Sequence, residues 1–186
     1  EHINFYNEEK IPIIGKVINN GTIEGGDCLW INKKTLLVGE SYRTNKIGID
    51  QLGNIVNKHD IKLMPIKLPK YNNENSCFHL MSLISMLDND LAIGCMSLLP
   101  TDLINLLKEN DIKTIGIPED EYFKSKTLVV NILALSPRNL VVMKGYPKTI
   151  DLLINSGCKI NLFSGDELCI KTEGGATCLT RPIWRE

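Results

Sequence analysis

Long apolar runs are missing from this sequence of 186 residues. No stretch approaches the roughly 18 uninterrupted apolar residues that a membrane-spanning helix needs. The opening residues, EHINFYNEEKIP, are too polar for a secretory signal peptide. The sequence therefore predicts a protein that has no membrane partner and is located in the cytoplasm.

An excess of charge of one sign is also missing. The chain carries 21 Lys and Arg residues against 22 Asp and Glu residues, a formal net charge of -1. Such a balance gives no general attraction for nucleic-acid backbones or anionic lipids. Hydrophobic residues at 43% and charged residues at 23% are typical of a folded domain and exclude a disordered or coiled-coil chain. We expect a small-molecule partner and no nucleic acid.

Closely spaced cysteine pairs are absent as well. The six cysteines contain no CxxC pair and lack the density of a secreted disulfide scaffold. We interpret them as free thiols in a reducing compartment. They are Cys28, Cys77, Cys95, Cys158, Cys169 and Cys178.

The chain does contain an internal repeat of roughly 50 residues, whose order is strand, turn, strand, helix, strand. Alternating apolar residues predict the strands, and apolar stripes at helical spacing predict the helices. Thr44 or Asn45 is expected to cap the first helix and Thr101 the second, whereas Gly157 ends the third. The three copies are predicted over 28–31, 35–38, 44–56 and 61–68; 79–87, 91–95, 100–109 and 112–117; and 128–135, 140–143, 147–155 and 158–163.

This order favours modules arranged about an axis. A helical-hairpin solenoid has a shorter repeat, and simple βαβ winding places a helix between every pair of strands. Residues 178–184 predict the opening strand of a further module. We therefore expect residues 1–186 to form one domain that lacks part of its N-terminal module. Either an upstream segment or a second copy of the chain would close the ring.

Three chemically useful side chains fall at equivalent places, at or just before the first strand of a module. They are Glu24 in Glu24-Gly25-Gly26-Asp27, His79 in Phe78-His79-Leu80, and Cys178 after Gly174-Gly175. Taken singly, they also fit a polar turn, a core histidine and a buried thiol. Backbone N–H groups after a Gly-Gly turn could surround the Cys178 sulfur. In a ring, an acid, a base and a nucleophile would converge at one end of the axis.

Two further side chains are candidate substrate ligands. Asn131 lies in the apolar segment Leu128–Leu133, where its amide requires either a backbone partner or a ligand. Arg43 lies between the first hairpin and its helix, where it could pair with Asp27, bind a substrate carboxylate, or remain in solvent.

The segments EGGD, YRTN, FHL and GGATCLTRP, in this order, resemble the amidinotransferase and dimethylarginine dimethylaminohydrolase family of guanidino-modifying enzymes. The resemblance extends over essentially the whole chain. It implies the pentein fold, a five-bladed α/β propeller of ββαβ modules. It also implies a cofactor-free reaction of a guanidino substrate, with Cys178 as nucleophile, His79 as acid and base, and Glu24 holding the guanidinium.

The resemblance further implies that Asp27 and Arg43 form the family's acid and arginine pair, with Arg43 binding a substrate carboxylate. Many relatives carry an acid two residues after the histidine, where this chain has Met81, as in the dimethylargininase branch. Hydrolysis of arginine or an N-substituted arginine, giving citrulline-type products, is the leading interpretation. An amidinotransferase and a non-catalytic binding module remain alternatives. A metal site formed by Glu24, Asp27, His79 and Cys178 matches no short zinc spacing, and no metal is expected.

Overall fold

The strand, turn, strand, helix, strand unit occurs three times in the computed structural model, which describes residues 2–70, 78–180 and 182. The first copy contains β1 (Cys28–Asn32), β2 (Thr35–Glu40), α2 (Lys46–Val56) and β3 (Lys62–Lys67), and α1 (His2–Glu8) precedes it. The second contains β4 (Ile84–Met86), β5 (Leu91–Gly94), α3 (Thr101–Glu109) and β6 (Lys113–Gly116). After α4 (Glu119–Lys124), the third contains β7 (Leu133–Ser136), β8 (Asn139–Met143), α5 (Pro147–Asn155) and β9 (Lys159–Phe163).

Each copy forms a three-stranded sheet of its own. The first two strands pair antiparallel across a tight turn, and the third pairs parallel with the second, in the orders β1-β2-β3, β4-β5-β6 and β7-β8-β9. A parallel neighbour requires a crossover connection, which the helix of each copy provides. The predicted module is therefore confirmed three times.

The helix boundaries follow local hydrogen bonding. Asn45 caps α2, because its side-chain oxygen accepts from the Gly48 N–H at 2.8 Å. Pro147 opens α5, and Gly157 follows it with φ +80. Thr101 is the first residue of α3 rather than its cap, because Pro100 occupies the cap position with an extended backbone.

The apolar core joins the modules to one another. One cluster combines Leu29 and Leu37 of the first module with Leu83 and Leu103 of the second. A second cluster combines residues of the second and third modules around Tyr122, whose side chain is fully buried. Removing this apolar surface from water stabilises contacts between modules as well as within them. The shared core therefore fixes the module openings relative to one another.

The openings of the modules differ from the sequence prediction. Each begins with a short 3₁₀ turn, at Gly25–Asp27, Leu80–Ser82 and Leu128–Val130. The strands predicted over 79–87 and 128–135 therefore start only at Ile84 and Leu133. Both segments are short and mostly apolar, and such a segment has no periodicity that separates a buried strand from a buried helical turn.

The strand predicted over 178–184 is also wrong where the structure describes it. Residues 176–179 form a turn, in which the N–H groups of Cys178 and Leu179 both donate to the Gly175 carbonyl, at 3.1 and 3.3 Å. These donors are directed into the turn and cannot form a strand ladder there. Arg181 and residues 183–186 lie outside the described residues, and closure of the ring stays a prediction.

Among the described residues, no helix has the length and apolar character needed to cross a membrane.

Candidate active site

Glu24 and His79 occupy the same position in consecutive modules, each immediately before the 3₁₀ turn that opens its module. Both have extended backbones that direct the chain into the turn. Their side chains meet, with Glu24 Oε2 and His79 Nε2 2.7 Å apart. The predicted convergence of these two residues is therefore present as a direct hydrogen bond.

Arg43 holds the other oxygen of the same carboxylate. Its Nε donates to Glu24 Oε1 at 2.7 Å, and its side chain is nearly half exposed. Partial burial tends to raise the pKa of Glu24, but hydrogen bonds and charge from His79 and Arg43 outweigh this effect and lower the pKa. Glu24 is therefore an ionised carboxylate that bridges an imidazole and a guanidinium.

Asp27 is not the partner of Arg43, contrary to the sequence expectation. Its carboxylate is fully buried, with Oδ1 accepting from the Leu80 N–H at 3.0 Å and Oδ2 from the Ser41 hydroxyl at 2.7 Å. Asp27 therefore ties the opening of the first module to the residue after His79. Because both carboxylate oxygens are buried and bound by the protein, the structure contradicts the expected role of Asp27 as a substrate ligand.

The second glycine of the pair between Glu24 and Asp27 packs against the His79 ring. A Cβ atom at this position would lie 2.8 Å from His79 Cγ and 3.0 Å from Nδ1. Only a residue without a side chain lets the imidazole lie this close to the backbone. The His79 imidazole is therefore the group that packs against the backbone at Gly26.

Asn131 contacts the turn that carries Cys178. Its Nδ2 donates to Cys178 Sγ at 3.2 Å, whereas its Oδ1 accepts from the Thr177 N–H at 2.8 Å and the Thr177 hydroxyl at 2.7 Å. Asn131 follows a 3₁₀ turn and does not lie within a strand. The partners that its buried amide requires are therefore protein groups of a segment 46 and 47 residues away.

Among the described residues, no backbone N–H donates to the Cys178 sulfur, although the Gly-Gly pair made such an arrangement possible. The Thr177 N–H donates to Asn131, and the N–H groups of Cys178 and Leu179 donate to the Gly175 carbonyl. These donors are already used, so the hydrogen bond to sulfur comes from the Asn131 side chain. Thr177 could not be identified from the sequence, because its neighbours give no indication of its distant partner.

One open cavity is lined by Glu24, His79, Asn131 and Cys178 together. Cys178 is exposed, whereas His79 is almost entirely buried behind the cavity surface. Met81, the residue two positions after the histidine, also lines this cavity. The structure thus brings an acid, an imidazole and a thiol to one surface, with an apolar side chain beside them.

The other described cysteines lie in different surroundings. Cys95, Cys158 and Cys169 are buried free thiols, Cys28 is half-buried, and Cys77 lies outside the described residues. Burial raises the pKa of both Cys158 and Cys169. These two thiols are therefore less easily ionised than an ordinary cysteine.

The described residues contain no cluster of metal-ligating side chains. Within the described residues, His, Cys, Asp and Glu side chains form no group of three that could hold a metal ion. Both oxygens of Asp27 are bound by Leu80 and Ser41, which removes it from such a set.

Comparison with known proteins identifies relatives of the chain. A family model described as arginine deiminase matches residues 2–99. Arginine deiminase of Mycoplasma capricolum is 27% identical, over 89% of this chain and 47% of the relative. The N(G),N(G)-dimethylarginine dimethylaminohydrolase of Pseudomonas aeruginosa is 26% identical, over 86% of this chain and 56% of the relative. The chain spans about half the length of these curated relatives.

Solved structures show the same fold. The dimethylarginine dimethylaminohydrolase of Pseudomonas aeruginosa complexed with citrulline has a TM-score of 0.74 at 22% identity, covering 95% of this chain and 63% of that one. The product-bound N-terminal domain of a cyanobacterial arginine dihydrolase, ArgZ, reaches 0.78 at 17%, with 98% and 64% covered. The inosamine-phosphate amidinotransferase StrB1 of Streptomyces griseus reaches 0.70 at 20%, with 91% and 49% covered. The expected pentein fold is confirmed.

Proposed function

The chain belongs to the arginine deiminase family, and from this premise we propose that it carries the active site of a cysteine-dependent guanidino hydrolase. Its substrate is arginine or an N-substituted arginine, and its product is a ureido compound such as citrulline. The observation that carries the proposal is the 2.7 Å bond between Glu24 and His79 on a cavity that also exposes Cys178. Base, acid and nucleophile on one surface are the groups that covalent amidine hydrolysis requires.

In the first half of the reaction, the Cys178 thiolate attacks the central guanidinium carbon and a C–S bond forms. His79 donates a proton to one nitrogen, and the C–N bond to that nitrogen breaks, releasing a neutral amine or ammonia. The carbon remains attached to sulfur as an amidino-thioether. Glu24, bonded to His79 Nε2, fixes the orientation of the imidazole during this transfer.

In the second half, His79 removes a proton from water, and the oxygen attacks the same carbon. The C–S bond then breaks and the thiolate is restored; the added oxygen loses its remaining proton to solvent, and the neutral ureido product leaves. The net reaction consumes one water and releases one amine, so no redox cofactor or metal is needed. Attack by an amine acceptor in place of water would give an amidinotransferase.

Two residues suggest the substrate class. Arg43 is partly exposed beside a second hollow, and its guanidinium suits a bidentate contact with the α-carboxylate of an amino acid. Met81 offers an apolar surface where many relatives carry an acid, which favours a guanidinium with an alkyl substituent over an unsubstituted one. We further propose that the protein acts in the cytoplasm, without a nucleic-acid or membrane partner.

The test is an assay of ureido product from arginine, N-methylated arginines and agmatine, with and without an added amine acceptor. His79→Ala and Cys178→Ser should each lower turnover by about 10²-fold or more, whereas His59→Ala, in an exposed turn, should leave it unchanged. Near-normal turnover by a folded His79→Ala protein would remove His79 from the mechanism. An amidino product that appears only with the acceptor would instead establish a transferase.

A further inference from the structure

We propose that Asn131 acts on the nucleophile rather than on the substrate, by holding the turn of Cys178 and donating a hydrogen bond to its sulfur. This inference rests on the proposed function in one respect, the identity of Cys178 as the nucleophile. It replaces the expectation that Asn131 is a substrate ligand.

The orientation of the Asn131 amide is fixed by its partner. A backbone N–H can only donate, so the atom that faces the Thr177 N–H at 2.8 Å must be the side-chain oxygen. The NH₂ group therefore faces Cys178 Sγ at 3.2 Å, as a donor. A donor directed at sulfur stabilises it in the charged state that attacks carbon.

The same amide also positions the sulfur. Its oxygen accepts two hydrogen bonds from Thr177, the residue before the nucleophile, so the turn cannot shift without breaking them. Asn131 is itself buried and follows the 3₁₀ turn Leu128–Val130, in which all three residues are buried. The nucleophile is thus linked to the core of the third module through one side chain.

Gly175 makes this close approach sterically feasible. A Cβ atom there would lie 2.3 Å from Asn131 Cγ and 2.4 Å from its Oδ1, closer than real Cβ atoms come to any neighbour. The adjacent Gly174 is not under the same constraint, since its nearest neighbour would be Cys178 Cβ at 3.5 Å, an ordinary contact. The position of Asn131 therefore requires a residue without a side chain at 175 but not at 174.

Asn131→Asp separates the two roles of the amide. A carboxylate keeps an acceptor for both Thr177 bonds but replaces the N–H donor facing sulfur with a negative oxygen. We expect alkylation of Cys178 by iodoacetamide to slow roughly 10- to 100-fold, the range of one hydrogen bond to a charged group. The kcat should fall by a similar factor while KM stays near the wild-type value, because the substrate loses no contact.

Thr177→Val is the matched control. It removes only the hydroxyl bond and leaves the backbone bond and the contact with sulfur, so alkylation should change by less than about threefold. An Asn131→Asp protein with a wild-type alkylation rate and a raised KM would show that Asn131 binds substrate, and the inference would be overturned.

A second pair of variants covers the case in which Asn131→Asp does not fold. Gly175→Ala should displace the unchanged Asn131 and slow alkylation, whereas Gly174→Ala should not; equal rates for the two would refute the inference. Alkylation does not depend on turnover. If no guanidino compound is hydrolysed but the alkylation rates differ as expected, the proposed function fails while the role of Asn131 is supported.

Discussion

Gly26→Ala tests whether the position of the His79 imidazole matters for turnover. The added Cβ would lie 2.8 Å from His79 Cγ, whereas ordinary van der Waals contact begins at 3.4 Å. The ring or the 3₁₀ turn must therefore move by about 0.6 Å. The ring has little freedom, because Nε2 is bonded to Glu24 at 2.7 Å and the residue is almost entirely buried.

The expected loss of kcat is about 10- to 100-fold, because a misplacement of about 1 Å costs roughly 10²-fold in a positioned site. Overpacking should also lower the free energy of unfolding by roughly 1–3 kcal/mol. Steady-state formation of ureido product and urea unfolding measure the two effects.

Gly53→Ala is the matched control, since a Cβ there meets nothing within 4 Å and the residue lies in α2. It should stabilise the protein by up to about 1 kcal/mol and leave turnover unchanged. A Gly26→Ala protein with the turnover and stability of wild type would refute the inferred packing of His79 on the turn.

Limiting alkylation followed by mass spectrometry should label Cys178 before Cys158 and Cys169, because Cys178 is exposed and burial raises the pKa of the other two; preferential labelling of Cys158 would contradict this. The pKa of Glu24 is lower in the folded state than in the unfolded state. Its contribution to the free energy of unfolding is therefore present above the unfolded-state pKa and is lost as pH falls through the folded-state pKa. Glu24→Gln should therefore flatten the acid limb of unfolding free energy against pH, measured by urea titration, and an unchanged slope would be evidence against the ionised bridge. Glu121→Ala removes a buried carboxylate that accepts from the first N–H groups of α5. It should lower the free energy of unfolding, measured by thermal unfolding, by roughly 1–3 kcal/mol and leave turnover unchanged. A decrease under about 0.5 kcal/mol would exclude this capping role.

The sequence alone determined the features that depend on neighbouring residues. The repeated module follows from the alternation and helical spacing of apolar residues, which the structure reproduces three times. A cap of α2 at Thr44 or Asn45, the start of α5 at Pro147 and its end before Gly157 each depend on a few neighbouring residues. Such preferences act over a few residues, so they can be read without knowing the fold.

The meeting of the Glu24 and His79 side chains could also be predicted from the sequence, because equivalent positions in repeated modules come to equivalent places in space. Glu24 and His79 illustrate this, since each precedes the 3₁₀ turn of its module. The 3₁₀ turns that open the modules could not be predicted from the sequence. A buried run such as Leu128–Val130 has the same apolar composition whether it is a turn or a strand.

Only the tertiary structure decided the partners of the polar side chains. Arg43 binds Glu24 rather than Asp27, although both acids lie in one short turn. Asp27 instead accepts from a backbone group 53 residues away, and Asn131 contacts Cys178 across 47 residues. These choices depend on which side chain points into the core and which donors meet it there. Sequence spacing carries no information on either, because both are set by how the modules pack together.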